Sequence, residues 1–235
     1  MLSAVVRFQA PVLENRAHPH HVSILTVQAP EVASTVRPGQ FVMAAVSGQG
    51  DIPSPLLKRA LAVFTVPDRE QNQITLLVKA VGEGTRRLTT VRPGDVLELV
   101  GPLGEGFDLE RARNRISLIV VGGTGIASVH LLARELVRQG EEVALLYGGR
   151  SAEDLVGLAP FEQLGIPILT TTEDGSRGER GLVTDALRGS LERYPVQHLN
   201  VYTCGPNRMM QFVSEIVAPH RIPCQISVEI KMACG

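Results

Sequence analysis

The sequence has no excess of positive charge, no long apolar run and no cysteine framework, and each absence removes a class of function. Lys and Arg number 23 against 24 Asp and Glu, a formal net charge of -1. That balance leaves nothing to neutralise a phosphate backbone and argues against nucleic acid as the main partner. The longest apolar runs, such as Leu118 to Val121 and Val143 to Tyr147, fall far short of the roughly 20 residues that cross a bilayer. No membrane span is expected. The start, Met1-Leu2-Ser3-Ala4-Val5-Val6-Arg7, has no basic segment ahead of a long apolar stretch and no small-residue cleavage site, so secretion is not indicated. Cys204, Cys224 and Cys234 are odd in number and confined to the last stretch of the chain. They argue against a disulfide framework and for a reducing cytoplasmic location.

What is present is the composition of a globular protein: 235 residues, 44% hydrophobic and 20% charged, enough for one or two domains. Two textures follow one another, with the change near Arg111 to Arg115. Before it, apolar runs separated by turn residues (Ala4 to Phe8, Val22 to Val27, Phe41 to Val46, Leu61 to Val66, Ile74 to Val78 and Val96 to Val100) read as a β-barrel or sandwich. Two turns echo each other, Arg37-Pro38-Gly39-Gln40 and Arg92-Pro93-Gly94-Asp95. Proline then glycine at the central positions suits a type II turn. After the boundary, strands alternate with helices. Ile116 to Val121 is a buried strand, and Ile126, Val129, Leu132, Ala133, Leu136 and Val137 mark one face of the helix that follows. Val143 to Tyr147, Ile166 to Thr170 and Leu199 to Thr203 read as further strands, and Val183 to Leu191 as a helix. Met209, Phe212, Val213, Ile216 and Val217 line the last helix. This alternation implies a parallel sheet covered on both faces.

The strongest chemical signal is Gly122-Gly123-Thr124-Gly125, which joins the buried strand to an amphipathic helix. Glycine permits a tight turn and lets a pyrophosphate approach a helix N-terminus, whose free N–H groups favour anions. Ser128 stands where the third glycine of the dinucleotide fingerprint would be, so a plain glycine turn is the alternative. Arg150 follows Tyr147-Gly148-Gly149 at the end of the second strand, with no acid in the position that usually holds a ribose 2′-hydroxyl. The choice between NADH and NADPH stays open. Cys204-Gly205-Pro206 leaves another strand at its carboxyl end, where a thiol either borders a nicotinamide or lies buried and inert. Gly82 to Leu88 offers a glycine turn, a capping hydroxyl at Thr85 and cations, a second anion site. The loop of Asp174 lies at the ligand edge of the sheet or is a plain surface turn. His18, His20 and His21 read as a solvated turn, since no cysteine or carboxylate set completes a metal sphere.

A β-rich half followed by an α/β half with Gly122 to Ala127 and a late Cys204-Gly205-Pro206 resembles the ferredoxin–NADP reductase superfamily. Within it the chain is similar to the electron-transfer subunits of dihydroorotate dehydrogenase B, through Gly101-Pro102-Leu103-Gly104, Glu173-Asp174-Gly175-Ser176 and the stretch Ser227 to Gly235. The resemblance implies a β-barrel FAD-binding domain over 1–110, a Rossmann-like α/β NAD(P)-binding domain over 111–222, and the start of an iron–sulfur segment over 223–235. It aligns Arg59-Ala60-Leu61-Ala62 with a flavin-holding strand, where relatives carry proline and serine at the two alanines. It also aligns Leu77-Val78-Lys79 and Gly84-Thr85 with FAD contacts.

In the implied roles, Arg59 and Thr85 hold the FAD pyrophosphate. Gly122, Gly123, Thr124 and Gly125 receive NAD(P)H, with Arg150, Asp174, Gly205 and Pro206 beside it, and Cys204 borders the hydride path. Hydride then passes to FAD between the two domains. Cys234 corresponds to the first ligand of a [2Fe–2S] cluster, for which relatives supply three more cysteines further on. The implied partner is a catalytic, FMN-containing dihydroorotate dehydrogenase subunit in pyrimidine synthesis. Two alternatives remain: a related reductase subunit with another acceptor, and a scaffold that has lost FAD.

Overall fold

The computed structural model describes residues 5–46, 57–67, 70–110 and 113–228. They divide into two units between Gly106 and Phe107.

The first unit is a closed antiparallel barrel of β1 (Val6–His18), β2 (Val22–Gln28), β3 (Phe41–Val46), β4 (Arg59–Thr65), β5 (Gln73–Lys79) and β6 (Val96–Leu103), in the order β1-β2-β5-β4-β3-β6. Closure removes the exposed sheet edges that an open β-sheet must protect. Both anticipated type II turns form, with Gly39 at φ 88° and Gly94 at φ 95°. Gln40 N–H donates to Arg37 O at 3.1 Å and Asp95 N–H to Arg92 O at 3.0 Å. A short helix α1 (Pro30–Ala33) and a longer one, α2 (Glu83–Thr89), complete the unit. The α2 helix packs on β2, β3 and β5, burying Leu88.

The first strand is longer than the sequence suggests. It pairs with β6 from Val6 to Pro11 and with β2 from Val12 to His18, with a register shift between Val12 and Glu14. The exchange of partners lets one strand bend through two parts of the barrel wall, and Pro11, which has no N–H to give, sits where the partner changes. The histidine cluster closes the β1–β2 hairpin. His20 and His21 both have positive φ (55° and 56°), and Val22 N–H reaches Pro19 O at 3.3 Å. This is the type I′ geometry that matches strand twist in tight hairpins.

In the second unit the strands are β7 (Ile116–Gly122), β8 (Val143–Gly149), β9 (Ile168–Thr172), β10 (Glu179–Arg180), β11 (Leu199–Cys204) and β12 (Cys224–Ser227). They form one parallel sheet ordered β10-β9-β8-β7-β11-β12. The chain starts in the middle at β7, runs outward through β8 and β9, then returns to the other side of β7. Ligands of such sheets bind where the order reverses, here between β7 and β11, beyond the carboxyl ends of the strands. Helices α5 (Val183–Arg193) and α6 (Asn207–Val217) share one core with Leu118, Val120, Leu146, Leu199 and Val201. On the other face α3 (His130–Arg138) packs against β8 and α4 (Ala159–Glu162), with His130 edge-on to Phe161 at 5.0 Å.

Three details differ from the sequence reading. The helix expected from Ile126 onward is interrupted: Gly123–Ser128 is a 3₁₀ turn, and α3 begins only at His130, after Val129. In α6 the inward residues include Met210, whereas Phe212 is 37% exposed beneath the Arg208 guanidinium at 5.6 Å. Residues 224–227, expected in an iron–sulfur segment, continue the parallel sheet as β12, paired with β11 from Val201 to Cys204.

Candidate functional site

In the barrel, the sequence-predicted Arg59 and Gly84 meet. Arg59 opens β4 and Gly84 lies in the first turn of α2. A Cβ placed on Gly84 would stand 2.7 Å from the Arg59 Nε and 2.8 Å from its Cζ, so the guanidinium lies directly on the glycine backbone. A larger residue there would have to push the guanidinium aside. The Arg59 Nη1 group is held by the Leu57 and Lys58 carbonyls. A half-buried, oriented guanidinium of this kind has the charge and the planar fork to grip a phosphate.

The Thr85 hydroxyl is spent locally. It donates to Gly82 O at 3.0 Å and accepts the N–H groups of Val81 at 2.9 Å and Gly82 at 3.0 Å. One proton and two lone pairs are then all used, so Thr85 shapes the turn and its side chain has nothing left for phosphate. Leu77 at 5%, Val78 at 0% and Leu61 at 8% exposure are all buried, Leu77 and Val78 on opposite faces of β5. Their main chain, not their side chains, can face a ligand. Ala60 is exposed, and Ala62 and Lys79 are half-buried.

In the second unit, Gly122 to Gly125 and Cys204 to Pro206 come together at the point where the strand order reverses. Leu199–Cys204 runs parallel to Ile116–Val121, with Cys204 opposite Val121. A Cβ on Gly125 would overlap the Cys204 carbonyl and stand 2.8 Å from the Gly205 nitrogen. A Cβ on Gly205 would stand 3.0 Å from the nitrogen and the oxygen of Gly122. The two corners are packed backbone on backbone, which only glycine permits. Gly123 is different: nothing lies near its Cβ position, and its φ of 53° alone favours glycine. Thr124 sits between these two glycines in the 3₁₀ turn. Pro206 precedes the first turn of α6, and the Cys204 side chain is buried at 2% exposure.

Arg150 presents an exposed side chain at the end of β8, and its N–H donates to Asp154 Oδ2 at 3.2 Å. Asp174 joins the loops after β8 and β9. Its Oδ1 accepts the Ser176 hydroxyl at 2.6 Å, and the Ser176 Oγ accepts the Ala152 N–H at 2.7 Å. Those Ser176 hydrogen bonds hold the Asp174 carboxyl below the usual carboxylate range. Asp174 is thus a loop-fixing anion.

The sequence matches the Oxidoreductase FAD-binding domain over residues 9–107 and the Oxidoreductase NAD-binding domain over residues 119–215. It is 36% identical over 229 residues to the dihydroorotate dehydrogenase B (NAD(+)) electron transfer subunit of Caldanaerobacter subterraneus subsp. tengcongensis, covering 97% of this chain and 84% of that protein. A probable counterpart from Methanopyrus kandleri is 35% identical over 226 residues, covering 96% of this chain and 80% of that one. The chain belongs to the family of dihydroorotate dehydrogenase B electron-transfer subunits. Among solved structures it is similar to an NADH-dependent reduced ferredoxin-NADP oxidoreductase, with TM-score 0.82, 26% identity and coverage of 96% of this chain and 78% of that one. A ferredoxin NADP+ reductase from Neisseria gonorrhoeae with bound FAD and NADP shares the fold, with TM-score 0.76 at 16% identity over 94% of this chain and 99% of that one. The chain is an FAD- and NAD(P)-binding oxidoreductase with the ferredoxin reductase-like pairing of barrel and parallel sheet.

Membership of this family raises the question of an iron–sulfur cluster. Cys234 lies outside the described residues. Among the described residues no group of three metal-ligating side chains comes together. Cys204 and Cys224 belong to neighbouring strands of the sheet, and burial pushes the Cys224 thiol up to about 11. The described cysteines therefore do not fit a cluster.

One residue of the site escapes the sequence reading. Tyr147 is fully buried, and its hydroxyl lies 3.0 Å from the carbonyl oxygens of Gly123 and Asp154 and 3.1 Å from that of Val156. Burial, with the Asp154 charge in the same sense, pushes its phenol above the ordinary range and keeps it protonated. The only sequence signal is a polar atom at the carboxyl end of the apolar run Val143 to Tyr147, one residue before Gly148-Gly149.

Proposed function

We propose that this chain takes hydride from NADH at the Gly123 corner and passes electrons through FAD held in the barrel to a catalytic, FMN-containing dihydroorotate dehydrogenase subunit. The observation that carries the reading is the Arg59 guanidinium seated on the Gly84 backbone, which fixes a phosphate-gripping cation in a domain of the FAD-binding family. Bound FAD supplies the capacity to accept two electrons at once and release them singly. The chain's own residues do the rest. Arg59 anchors the pyrophosphate of the flavin nucleotide. Gly123 and Gly125 let the nicotinamide dinucleotide approach the backbone, Arg150 stands at its adenosine end, and Cys204 with Gly205 forms the opposite wall. NADH is preferred as donor because the relatives named above carry NAD(+) in their names.

No helix among the described residues is long and apolar enough to cross a membrane. A [2Fe–2S] cluster at Cys234 would need three further thiolates from outside the described residues. The deciding experiment is anaerobic. NADH added to the purified, FAD-loaded chain should bleach the flavin band, and adding the catalytic subunit with orotate should restore it while dihydroorotate forms. Bleaching without reoxidation by orotate, but with reoxidation by ferredoxin, would favour a second reading supported by the 0.82 TM-score to the ferredoxin-linked enzyme. No bleaching at all would refute both.

A further inference from the structure

We propose that Tyr147 is a positioning residue for the dinucleotide: its hydroxyl ties the Gly123 corner and the Arg150 loop into one unit. The proposal rests on the Gly123 corner being the NADH site. Tyr147 stands near the end of β8, between the glycine corner that leaves β7 and the loop that leaves β8 itself. Its hydroxyl meets carbonyl oxygens from both, Gly123 on one side and Asp154 and Val156 on the other, all at 3.0 to 3.1 Å. A hydroxyl has one proton to give. Three carbonyl oxygens converging on one buried donor means that no other group in this cluster of four can hold them together. Replacing the phenol by an apolar ring would leave three carbonyls facing each other, each losing a share of a buried hydrogen bond.

The consequence for the site follows from peptide geometry. Gly123-Thr124 is a trans peptide, and in a planar trans unit the carbonyl and the next N–H point in opposite directions. Anchoring the Gly123 carbonyl on the phenol therefore turns the Thr124 N–H away from Tyr147. Nothing packs at the Gly123 Cβ position, so no side-chain contact there competes with that anchor. The same proton is shared with the Asp154 carbonyl, while the Asp154 carboxylate receives the Arg150 N–H at 3.2 Å. The loop is further folded onto Gly149, where a Cβ would stand 3.0 Å from the Asp154 Cβ. A continuous chain of bonds thus runs from the diphosphate corner to the residue at the adenosine end. A positioned site binds a ligand more tightly because it has less to order on binding.

The test uses the full chain loaded with FAD. In Tyr147→Phe, the Kd for NAD+ by calorimetry and the KM for NADH with an artificial one-electron acceptor should both rise about tenfold, which is ~1.4 kcal/mol. The kcat at saturating NADH and the FAD content should stay at wild-type values. A purely structural role would lower the melting temperature without this split between KM and kcat. Unchanged Kd and KM in a folded Tyr147→Phe protein would overturn the proposal. Gly123→Val separates the two levels of the argument, since a β-branched residue resists φ of 53°. If Gly123→Val also keeps wild-type NAD+ affinity, the site itself is misplaced. If Gly123→Val loses affinity and Tyr147→Phe does not, the site stands and the Tyr147 role falls. Amide exchange on the wild-type protein gives a measurement independent of any variant's folding. Thr124 and the stretch from Ala152 to Val156 should open in one cooperative step, and NAD+ should slow both together. Opening in separate steps would refute the coupling.

Discussion

In the proposed FAD site Arg59 would act as a single pre-set side chain, because its guanidinium is already oriented by its neighbours. Two main-chain carbonyls hold Nη1, and the rest of the guanidinium lies close against Gly84. A charge-assisted hydrogen bond to phosphate is worth about 1.5 to 3 kcal/mol, so Arg59→Ala should weaken FAD binding by roughly 10- to 100-fold. The ratio of flavin to protein after gel filtration measures it. Arg59→Lys should fall between, since an ammonium keeps the charge and loses the fork. A different side chain contributes to acid stability. Glu98, on β6, receives Lys58 Nζ at 2.8 Å and stands against Arg7 of β1. The Lys58 hydrogen bond lowers its pKa, against the opposing effect of burial. A carboxylate depressed in the fold contributes stability above its unfolded pKa and loses it as pH falls through the folded value. Between about pH 6 and about pH 3, wild type should therefore lose more stability than Glu98→Gln. With Arg7 72% exposed, the difference should be no more than about 1 kcal/mol in denaturant titrations.

At the scale of elements, the contact between the β7 and β11 corners is what shapes the proposed nicotinamide site. Gly125→Ala forces a methyl group into the Cys204 carbonyl, and neither backbone can yield without moving a central strand. A loss of about 1 to 3 kcal/mol in stability is expected, together with loss of NAD+ affinity in calorimetry while the FAD content stays normal. Wild-type affinity in Gly125→Ala would show that the corner opens freely. The elements most legible in the sequence are those buried on both faces. Ile116–Gly122 reads as a strand because a central parallel strand must be apolar throughout. The glycine corner is legible too, since strand, turn and amphipathic face adjoin in the chain. What is hidden depends on contacts distant in sequence. The β1 strand looks like a loop after Phe8 because its Glu14 and Arg16 face outward while its pairing passes from β6 to β2. The β9 strand runs to Thr172 rather than Thr170 because Thr171 and Thr172 are buried despite their polarity, at 2% and 0% exposure. The meeting of Arg59 with Gly84 and that of Tyr147 with Gly123 are likewise products of folding, since the partners lie far apart in the chain.

For the molecule as a whole, the division between Gly106 and Phe107 is fixed on both sides. A Cβ on Gly106 would stand 2.8 Å from the Pro38 carbonyl, so that residue is packed into the barrel unit. Phe107 lies edge-on to Tyr202 at 5.4 Å. Asp108 and Gln225 exchange two hydrogen bonds, Asp108 N–H to Gln225 Oε1 at 2.9 Å and Gln225 Nε2 to Asp108 O at 2.7 Å. The change of sequence texture near Arg111 lies inside the second unit for this reason: the residues ahead of it are already tied to β11 and β12. Each unit also has its own core, the closed barrel in one and the helix-covered sheet in the other. Units of this kind unfold with separate free energies, and a ligand stabilises only the unit that binds it, by RT ln(1 + [L]/Kd). Calorimetry of the flavin-free chain should then show two transitions. FAD should raise one and NAD+ the other, and at a ligand concentration of about 100 Kd each should gain ~2.7 kcal/mol. The barrel transition should also be the one that Arg59→Ala uncouples from FAD, and the sheet transition the one that Gly125→Ala uncouples from NAD+. A single transition raised by both ligands would mean that the two units fold as one, and the assignment of one nucleotide to each would then need crossed variants rather than melting curves.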